Sequence, residues 1–385
     1  MSVLFCVLAK GKEDVLGWKV AGLSLGRRLF YHAKRAGMRP VFIVAPERSS
    51  QLDLPKEAIV TQVGQLSCSG VEKIVAVSPG ALPEIDCLKQ IAQIEPAETE
   101  ALDFEGVVLF EPGPECQPLS ETIISKGYEA LLELLKASRK LVKSRCTASS
   151  IYTIRRPEDI KDIEKRLFWG LVKDTEGFMS RHVERRISLF ISRHLVDTPI
   201  TPNQITIISV LIGLIGAYFI SLGQGFWQVV GALLFLAHSI VDGCDGEIAR
   251  IKFMESRIGG ILDFWGDNVV HAAVFTAIGV EWSRRTGQTF PLWLSAAAVV
   301  GTFLSASIVY FSTMRKKKEG PLYTSVAGNG KQSKIVKVAD FLSRRDFIYL
   351  VVILAFFRHL DWFLVAASVG SLVFAGVLIG IRLRN

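Results

Sequence analysis

The chain has 385 residues, enough for two domains with their own cores, and half of its residues are hydrophobic. Its net charge is +8, but the visible basic cluster, Arg315 to Lys318 (RKKK), borders an apolar stretch; that placement favours anionic lipid headgroups and excludes nucleic acid as the expected partner. The mean hydropathy of +0.34 averages two kinds of sequence. Residues 1 to about 200 mix charged and apolar types, and beyond Ile205 long apolar stretches dominate.

At the N-terminus, SVLFCVLA (residues 2 to 9) is an apolar run of strand length without the basic start of a secretory signal, so it reads as a buried first strand. Leu25 to Ala36 has helical spacing. Further strand candidates are Pro40 to Ala45, Lys73 to Val77 and Gly106 to Phe110, and Ser120 to Lys136 carries apolar residues every three or four positions. Short apolar strands alternating with helices predict a soluble α/β sandwich around a largely parallel sheet over residues 1–165. The six cysteines, Cys6, Cys68, Cys87, Cys116, Cys146 and Cys244, include no C-x-x-C pair. Their spacing predicts neither a zinc cluster nor a disulfide framework, and it suits a reducing compartment.

Residues 166–204 read as a linker with an interfacial helix. Between Gly177 and Pro199, Arg181, Arg185, Arg186 and Arg193 interleave with Phe178, Ile187, Leu189, Phe190 and Ile191, giving one basic and one apolar surface. In Thr201 to Thr206 (TPNQIT), Pro202 stops one helix and a new one starts. Residues 205–385 then hold six candidate spans: Ile205 to Ile220, Phe226 to Val241, Ile258 to Trp282, Pro291 to Met314, Phe347 to Phe357 and Trp362 to Ile381. The fifth is short, and reaching across needs Phe341 and Leu342 with snorkelling of Arg344 and Arg345. Six crossings from a cytoplasmic first domain return the C-terminal RLRN to the cytoplasm, on the same side as Arg315 to Lys318, as the charge rule asks of a protein of the cytoplasmic (inner) membrane.

The informative residues are four carboxylates at positions where hydropathy argues against them. Asp242 and Asp245 close the second span, and Asp263 and Asp267 lie in the opening turns of the third. Carboxylates near hydrocarbon repel one another and become tolerable when cations sit between their oxygens. Separations of three and four residues let each pair face one side of its helix. Hard oxygen ligands select magnesium, manganese or calcium over zinc. His238 and His271, each four residues from one of the acids, read as polar helix residues. Gly246 and Ala249 open space beside Asp245, Gly259 thins the facing helix, and Arg250 offers a planar fork to a phosphate. The competing reading of these four is close helix packing and headgroup anchoring.

Asp242 to Asp267, DGCDGEIARIKFMESRIGGILDFWGD, fits D-x2-D-G-x2-A-R-x8-G-x3-D-x3-D at every fixed position. It resembles the signature of the CDP-alcohol phosphotransferase family, integral membrane enzymes that make phospholipid headgroups and related phosphodiesters. The resemblance implies a polytopic all-α membrane domain of about six transmembrane helices over 205–385. It also implies that Asp242, Asp245 and Asp263 are metal ligands, with Asp267 completing the cluster and acting as general base on the acceptor hydroxyl. Two ions of Mg2+ (or Mn2+), a CDP site lined by Gly246, Ala249, Arg250 and Gly259, release of CMP and a homodimer among membrane lipids follow from it. The segment EGFMSRHVERRISLFISRHLVDTPITPNQIT resembles the interfacial helix and first-span entry of members that join inositol phosphates and carry an extra N-terminal domain. In those relatives Asn203 and Thr206 would sit near the nucleotide, and Arg181, Lys331 and Arg345 would meet the acceptor phosphate; headgroup anchoring, or helix capping by Asn203, is the alternative.

The first domain resembles, more distantly, the nucleotidyltransferase-like domain of such members. A glycine-rich, basic loop after the first strand and an aspartate after a later one are expected there. Leu8 to Gly22 holds only Gly11 and Lys12 in its turn, and Val107 to Phe110 runs into Glu111 and Pro112, so the domain reads as degenerate and catalytically silent. A CDP-alcohol donor with an alcohol or phosphoalcohol acceptor is the expected substrate pair. CDP-diacylglycerol and CDP-inositol both fit the spans, and the arginine-rich segment leans towards a phosphorylated acceptor. A transporter with an intramembrane acidic cation site and a non-catalytic membrane scaffold are the competing classes.

Overall fold

The strands are β1 (Val3–Leu8), β2 (Lys19–Val20), β3 (Leu23–Ser24), β4 (Arg39–Ile43), β5 (Ile59–Thr61), β6 (Lys73–Val77), β7 (Ala81–Pro83), β8 (Glu100–Asp103), β9 (Val107–Phe110), β10 (Lys140–Lys143) and β11 (Ile151–Thr153). The structure is a computed structural model that describes residues 3–9, 11–45, 48, 51–61, 70–97, 99–112, 127–147, 150–172, 183–223, 225–314 and 347–384. It divides into two units, Met1–Leu167 and Phe168–Asn385.

In the first unit, seven strands form one sheet in the order β10-β8-β9-β6-β1-β4-β5. All run parallel except β9, which is antiparallel to β6 and β8. β1 is buried at every position, and its alternate side chains feed two cores: Val3, Phe5 and Val7 on one face, Leu4, Cys6 and Leu8 on the other. Helices α1 (Glu13–Leu16), α2 (Leu25–Arg35), α3 (Ile85–Gln93), α4 (Tyr128–Ser138) and α5 (Asp159–Trp169) complete the unit. Leu29 of α2 and Leu88 of α3 cover the first face, and Leu131 and Leu135 of α4 cover the second, so helices flank a mostly parallel sheet as the sequence pattern predicts.

Two buried polar groups hold the first unit's turns. Arg28, 1% exposed, donates to the carbonyls of Val20 and Ala21, and Ala21, at φ 47°, donates its own N–H to Glu164 at 2.6 Å. Burial lowers the Arg28 pKa to about 10, with Glu164 opposing the shift. After β1, Glu13 accepts from the backbone N–H of Ala45 at 3.2 Å and Asp14 pairs with Arg48 at 3.1 Å. One expectation is corrected. Cys87 of α3 and Cys146 form a disulfide with a Cα–Cα distance of 5.6 Å. The tertiary fold brings together two cysteines 59 positions apart, which spacing along the chain does not encode. Cys6 and Cys244 are buried and free, and Cys68 and Cys116 lie outside the described residues.

The second unit is helical: α6 (Arg185–Leu195), α7 (Pro202–Ser221), α8 (Phe226–Ile251), α9 (Arg257–Thr286), α10 (Phe290–Val309), a π-helical turn (Tyr310–Met314), α11 (Phe347–Phe356) and α12 (Leu360–Arg384). Among the described residues, four stretches are long and apolar enough to cross a membrane: Pro202–Ser221, Phe226–Ile251, Phe290–Ser312 and Leu360–Gly380. Of the other two expected spans, α9 is long but carries the charges discussed below. α11, at 10 residues, reaches ~15 Å, half of the hydrocarbon core, and 341–346 lie outside the described residues.

Thr201 opens α7 with a capping box through Gln204, and Pro202 stands in the first turn where no N–H is missed. Glycines let α7 approach its neighbours closely. A Cβ at Gly231 of α8 would stand 2.5 Å from the Gly216 carbonyl oxygen, and one at Gly213 would stand 2.5 Å from Val270 of α9. Lipid supplies no hydrophobic drive between helices, so such close packing carries their association.

Candidate metal and phosphate site

α8 continues ten residues beyond the Val241 expected as its end, because neither Gly243 nor Gly246 breaks it. The first half of the acidic signature is therefore helical, with Asp242 and Asp245 on one face. Residues 252–256 reverse the chain, and Ser256 caps α9 by accepting from the Gly259 N–H at 3.0 Å. The closing turns of α8 thus lie beside the opening turns of α9. Asp242 (3% exposed), Asp245 (7%) and the half-buried Asp263 each offer an oxygen within 4.8 Å of the others. Thr206 of α7 donates its hydroxyl to Asp245. The donor set is three carboxylates with no sulfur or imidazole, which fits magnesium or manganese.

Asp267 lies one turn further along α9, its Oδ1 3.4 Å from His238 Nε2. The other ring nitrogen, Nδ1, stands 2.9 Å from the Ser209 carbonyl; a carbonyl only accepts, so Nδ1 carries the proton and Nε2 is the atom turned to Asp267. His271 packs among the rings of Phe235, Phe275 and Phe347.

The small and basic residues gather at the same place. Arg250 folds back over Gly246, where a Cβ would stand 3.3 Å from Nη1, and its buried Nε has no hydrogen-bond partner among the described residues. Ala249 lies one turn beyond Asp245 on α8. Asn203, at the start of α7, points its Oδ1 to within 2.8 Å of where a Gly259 Cβ would be, so any side chain at Gly259 would collide with it. Arg181, Lys331 and Arg345 lie outside the described residues.

Sequence reasoning missed Glu247. It is fully enclosed, and its carboxylate accepts from Arg185 Nη1 at 2.8 Å and from the hydroxyls of Ser188 and Ser192 at 2.6 Å each. α6 accordingly turns Ser188, Leu189 and Ser192 inwards and leaves Ile187 and Phe190 exposed. A signal existed: a glutamate inside a span, and an Arg-x2-Ser-x3-Ser pattern placing three donors on one helical face.

Residues 199–375 match the model of a family described as CDP-alcohol phosphatidyltransferase. A bifunctional IPC transferase and DIPP synthase of Aquifex aeolicus is 32% identical over 207 residues, covering 52% of this chain and 46% of that protein. An archaetidylinositol phosphate synthase of Pyrococcus horikoshii is 28% identical over 174 residues, covering 44% of this chain and 86% of that protein. A crystal structure of a Mycobacterium tuberculosis phosphatidylinositol phosphate synthase with CDP-DAG bound aligns at 20% identity and a TM-score of 0.35, covering 50% of this chain and 88% of that one. The chain spans less than half the length of the bifunctional relatives that it matches.

Proposed function

We propose that this chain, whose residues 199–375 match the CDP-alcohol phosphatidyltransferase family model, transfers a phosphoalcohol group from a CDP-alcohol to a hydroxyl acceptor. The products are CMP and a phosphodiester, of phospholipid or inositol-phosphodiester type. The observation that carries the reading is the convergence of Asp242, Asp245 and Asp263 within 4.8 Å, on two helices, beside the half-buried Arg250.

Asp242, Asp245, Asp263 and Asp267 would hold two ions of Mg2+ or Mn2+, which would supply charge neutralisation for the donor pyrophosphate and the departing CMP. Arg250 directs its guanidinium at the phosphates, while Gly246, Ala249 and Gly259 leave room for the nucleotide, with Asn203 and Thr206 at its edge. Thr206 holds Asp245 in place. Asp267 takes the proton of the acceptor hydroxyl, whose oxygen then attacks the β-phosphorus; the bond from that phosphorus to the bridging oxygen breaks, and CMP keeps the electron pair.

Six spans, with the first domain and the C-terminus on the cytoplasmic side of the inner membrane, complete the proposal. The protein acts as a homodimer, and Arg181, Lys331 and Arg345 meet an acceptor phosphate. The name of the Pyrococcus relative supports an inositol phosphate acceptor. Residues 1–165 form a catalytically silent domain that steadies the membrane part or an oligomer. Glu13 and Asp14 after β1 support this, since they place like charge where a nucleotide's phosphates would need cations.

The test is release of labelled CMP by purified protein with magnesium, across CDP-diacylglycerol and CDP-inositol donors and their acceptors, beside Asp267→Asn. Release that needs both substrates and disappears in the variant is expected. Folded, metal-binding protein that releases no CMP with any pair would sink the reading.

A further inference from the structure

Glu247 is as buried as any acid in the bundle, and the transfer chemistry leaves it without a task. Every hydrogen bond found for its carboxylate comes from α6, whose Arg185, Ser188 and Ser192 project from one helical face at i, i+3 and i+7. A carboxylate removed from water persists only with such charge-assisted partners. The same arginine also reaches the acidic signature. A methyl group on Gly243, the residue after Asp242, would stand 3.5 Å from Arg185 Nη1. The Arg185 side chain is 20% exposed, in contrast to the enclosed Glu247, so it keeps an accessible edge. Arg250 Nη1 stands 3.3 Å from where a Cβ on Gly246 would be, so the two guanidiniums lie over glycines three residues apart on α8.

We infer that Glu247 is a positioning residue that fastens α6 to α8 and holds Arg185 beside Arg250, giving the site a second guanidinium for a substrate phosphate. This rests on the CDP-alcohol reading and deepens it, placing part of the phosphate affinity outside the fixed positions of the signature. The ligand chemistry is a phosphate group, from the donor's pyrophosphate or from a phosphorylated acceptor. Two opposed effects make the inference testable. As a mere negative charge, Glu247 weakens phosphate binding, and its neutralisation would tighten it. As the anchor of Arg185, it strengthens binding, and its neutralisation weakens it.

The experiment uses the full chain in detergent with magnesium, comparing wild type, Arg185→Gln, Arg185→Lys, Glu247→Gln and the double glutamine variant. Glu247→Gln keeps the shape and can still bond Ser188 and Ser192, so chiefly the charged hold on Arg185 is lost. KM and kcat are measured for donor and acceptor separately, with CDP affinity by calorimetry and thermal unfolding alongside. Arg185→Gln and Glu247→Gln should each raise one KM about tenfold while kcat changes less than about threefold, with the double variant no worse than Arg185→Gln alone. Arg185→Lys should recover part of the loss. A higher donor KM with weaker CDP binding assigns the clamp to the pyrophosphate; a higher acceptor KM with CDP affinity intact assigns it to the acceptor phosphate. Glu247→Gln that tightens substrate, or that lowers thermal stability with both KM values unchanged, overturns the inference. Wild type that binds CDP yet releases no CMP refutes the transfer reading alone, and the affinities for CDP and for inorganic phosphate then decide the clamp: either one weaker in Arg185→Gln upholds it, both unchanged overturns it. Wild type that neither binds CDP nor turns over refutes both.

Discussion

Replacing Asp263 by asparagine should stabilise the metal-free protein and abolish its response to magnesium. The oxygens offered by Asp242, Asp245 and Asp263 lie within 4.8 Å of one another. At an effective dielectric constant of about 20, each pair of full charges at that distance repels by about 3.5 kcal/mol. Asp263 takes part in two of the three pairs but is half-buried rather than enclosed, so solvent screening roughly halves the sum and leaves about 3 kcal/mol of relief. Free magnesium at one hundred times Kd adds about 2.7 kcal/mol to the wild type by linkage. Each 1 kcal/mol moves Tm by about 2–4 °C in a unit of the size of Phe168–Asn385. The assay is thermal unfolding in detergent, with EDTA and then over a magnesium titration. In EDTA the variant should unfold about 6 °C or more above wild type. Magnesium should then raise wild type by a similar amount and leave the variant nearly unmoved. Equal midpoints in EDTA together with equal responses to magnesium would refute the idea that these three carboxylates form a cation site.

Three further outcomes are expected. Thr206→Val removes the hydroxyl that donates to Asp245 at nearly constant volume, and kcat/KM for CMP release should fall about tenfold; unchanged kinetics would show that Asp245 is held in place without it. Gly231→Ala puts a Cβ 2.5 Å from the Gly216 carbonyl oxygen and 2.7 Å from Ile220 Cγ1, forcing α7 and α8 apart at a cost of about 1–3 kcal/mol. Gly376→Ala, which meets nothing within 4 Å, is the control and should unfold at or slightly above the wild-type temperature; similar behaviour of the two variants would contradict the close crossing. In the first unit, burial and then the neighbouring Arg28 lower the His32 pKa to about 3, with its bond to the Pro83 carbonyl opposing. The unfolded chain therefore binds the proton more readily, so this contribution is fully present above about pH 6.5 and lost as pH falls towards 3, by up to about 4 kcal/mol. Unfolding of the first unit followed against pH should show that loss, and His32→Gln should flatten it; an identical pH slope in the variant would exclude His32 as its source.

What could be read from the sequence, and what could not, divides along the range of the interactions. β1, β6 and β9 were legible because they are buried along their whole length, so their apolar runs are uninterrupted. β8 and β10 were missed: they form the outer end of the sheet, and the partly exposed Glu100 and Asp103 in one and the Lys140 and Lys143 that flank the other break the apolar signal. The acidic signature stood out for the opposite reason, as charge inside apolar runs at helical spacing. What neutralises each acid was invisible, since the partners are distant in the chain. Asp245 is met by Thr206, 39 positions away; Glu247 is met by donors 55 to 62 positions away; and Asp267 faces His238 from another helix. That difference separates their roles. Glu247 has its charge answered within the fold by an arginine and two hydroxyls, so it acts as a fastening. Asp242, Asp245 and Asp263 instead crowd together, each offering an oxygen within 4.8 Å of the others, which is the arrangement a cation would bridge. Six carboxylates within 26 residues look alike in one dimension, and only the company each keeps tells the ligand from the clasp.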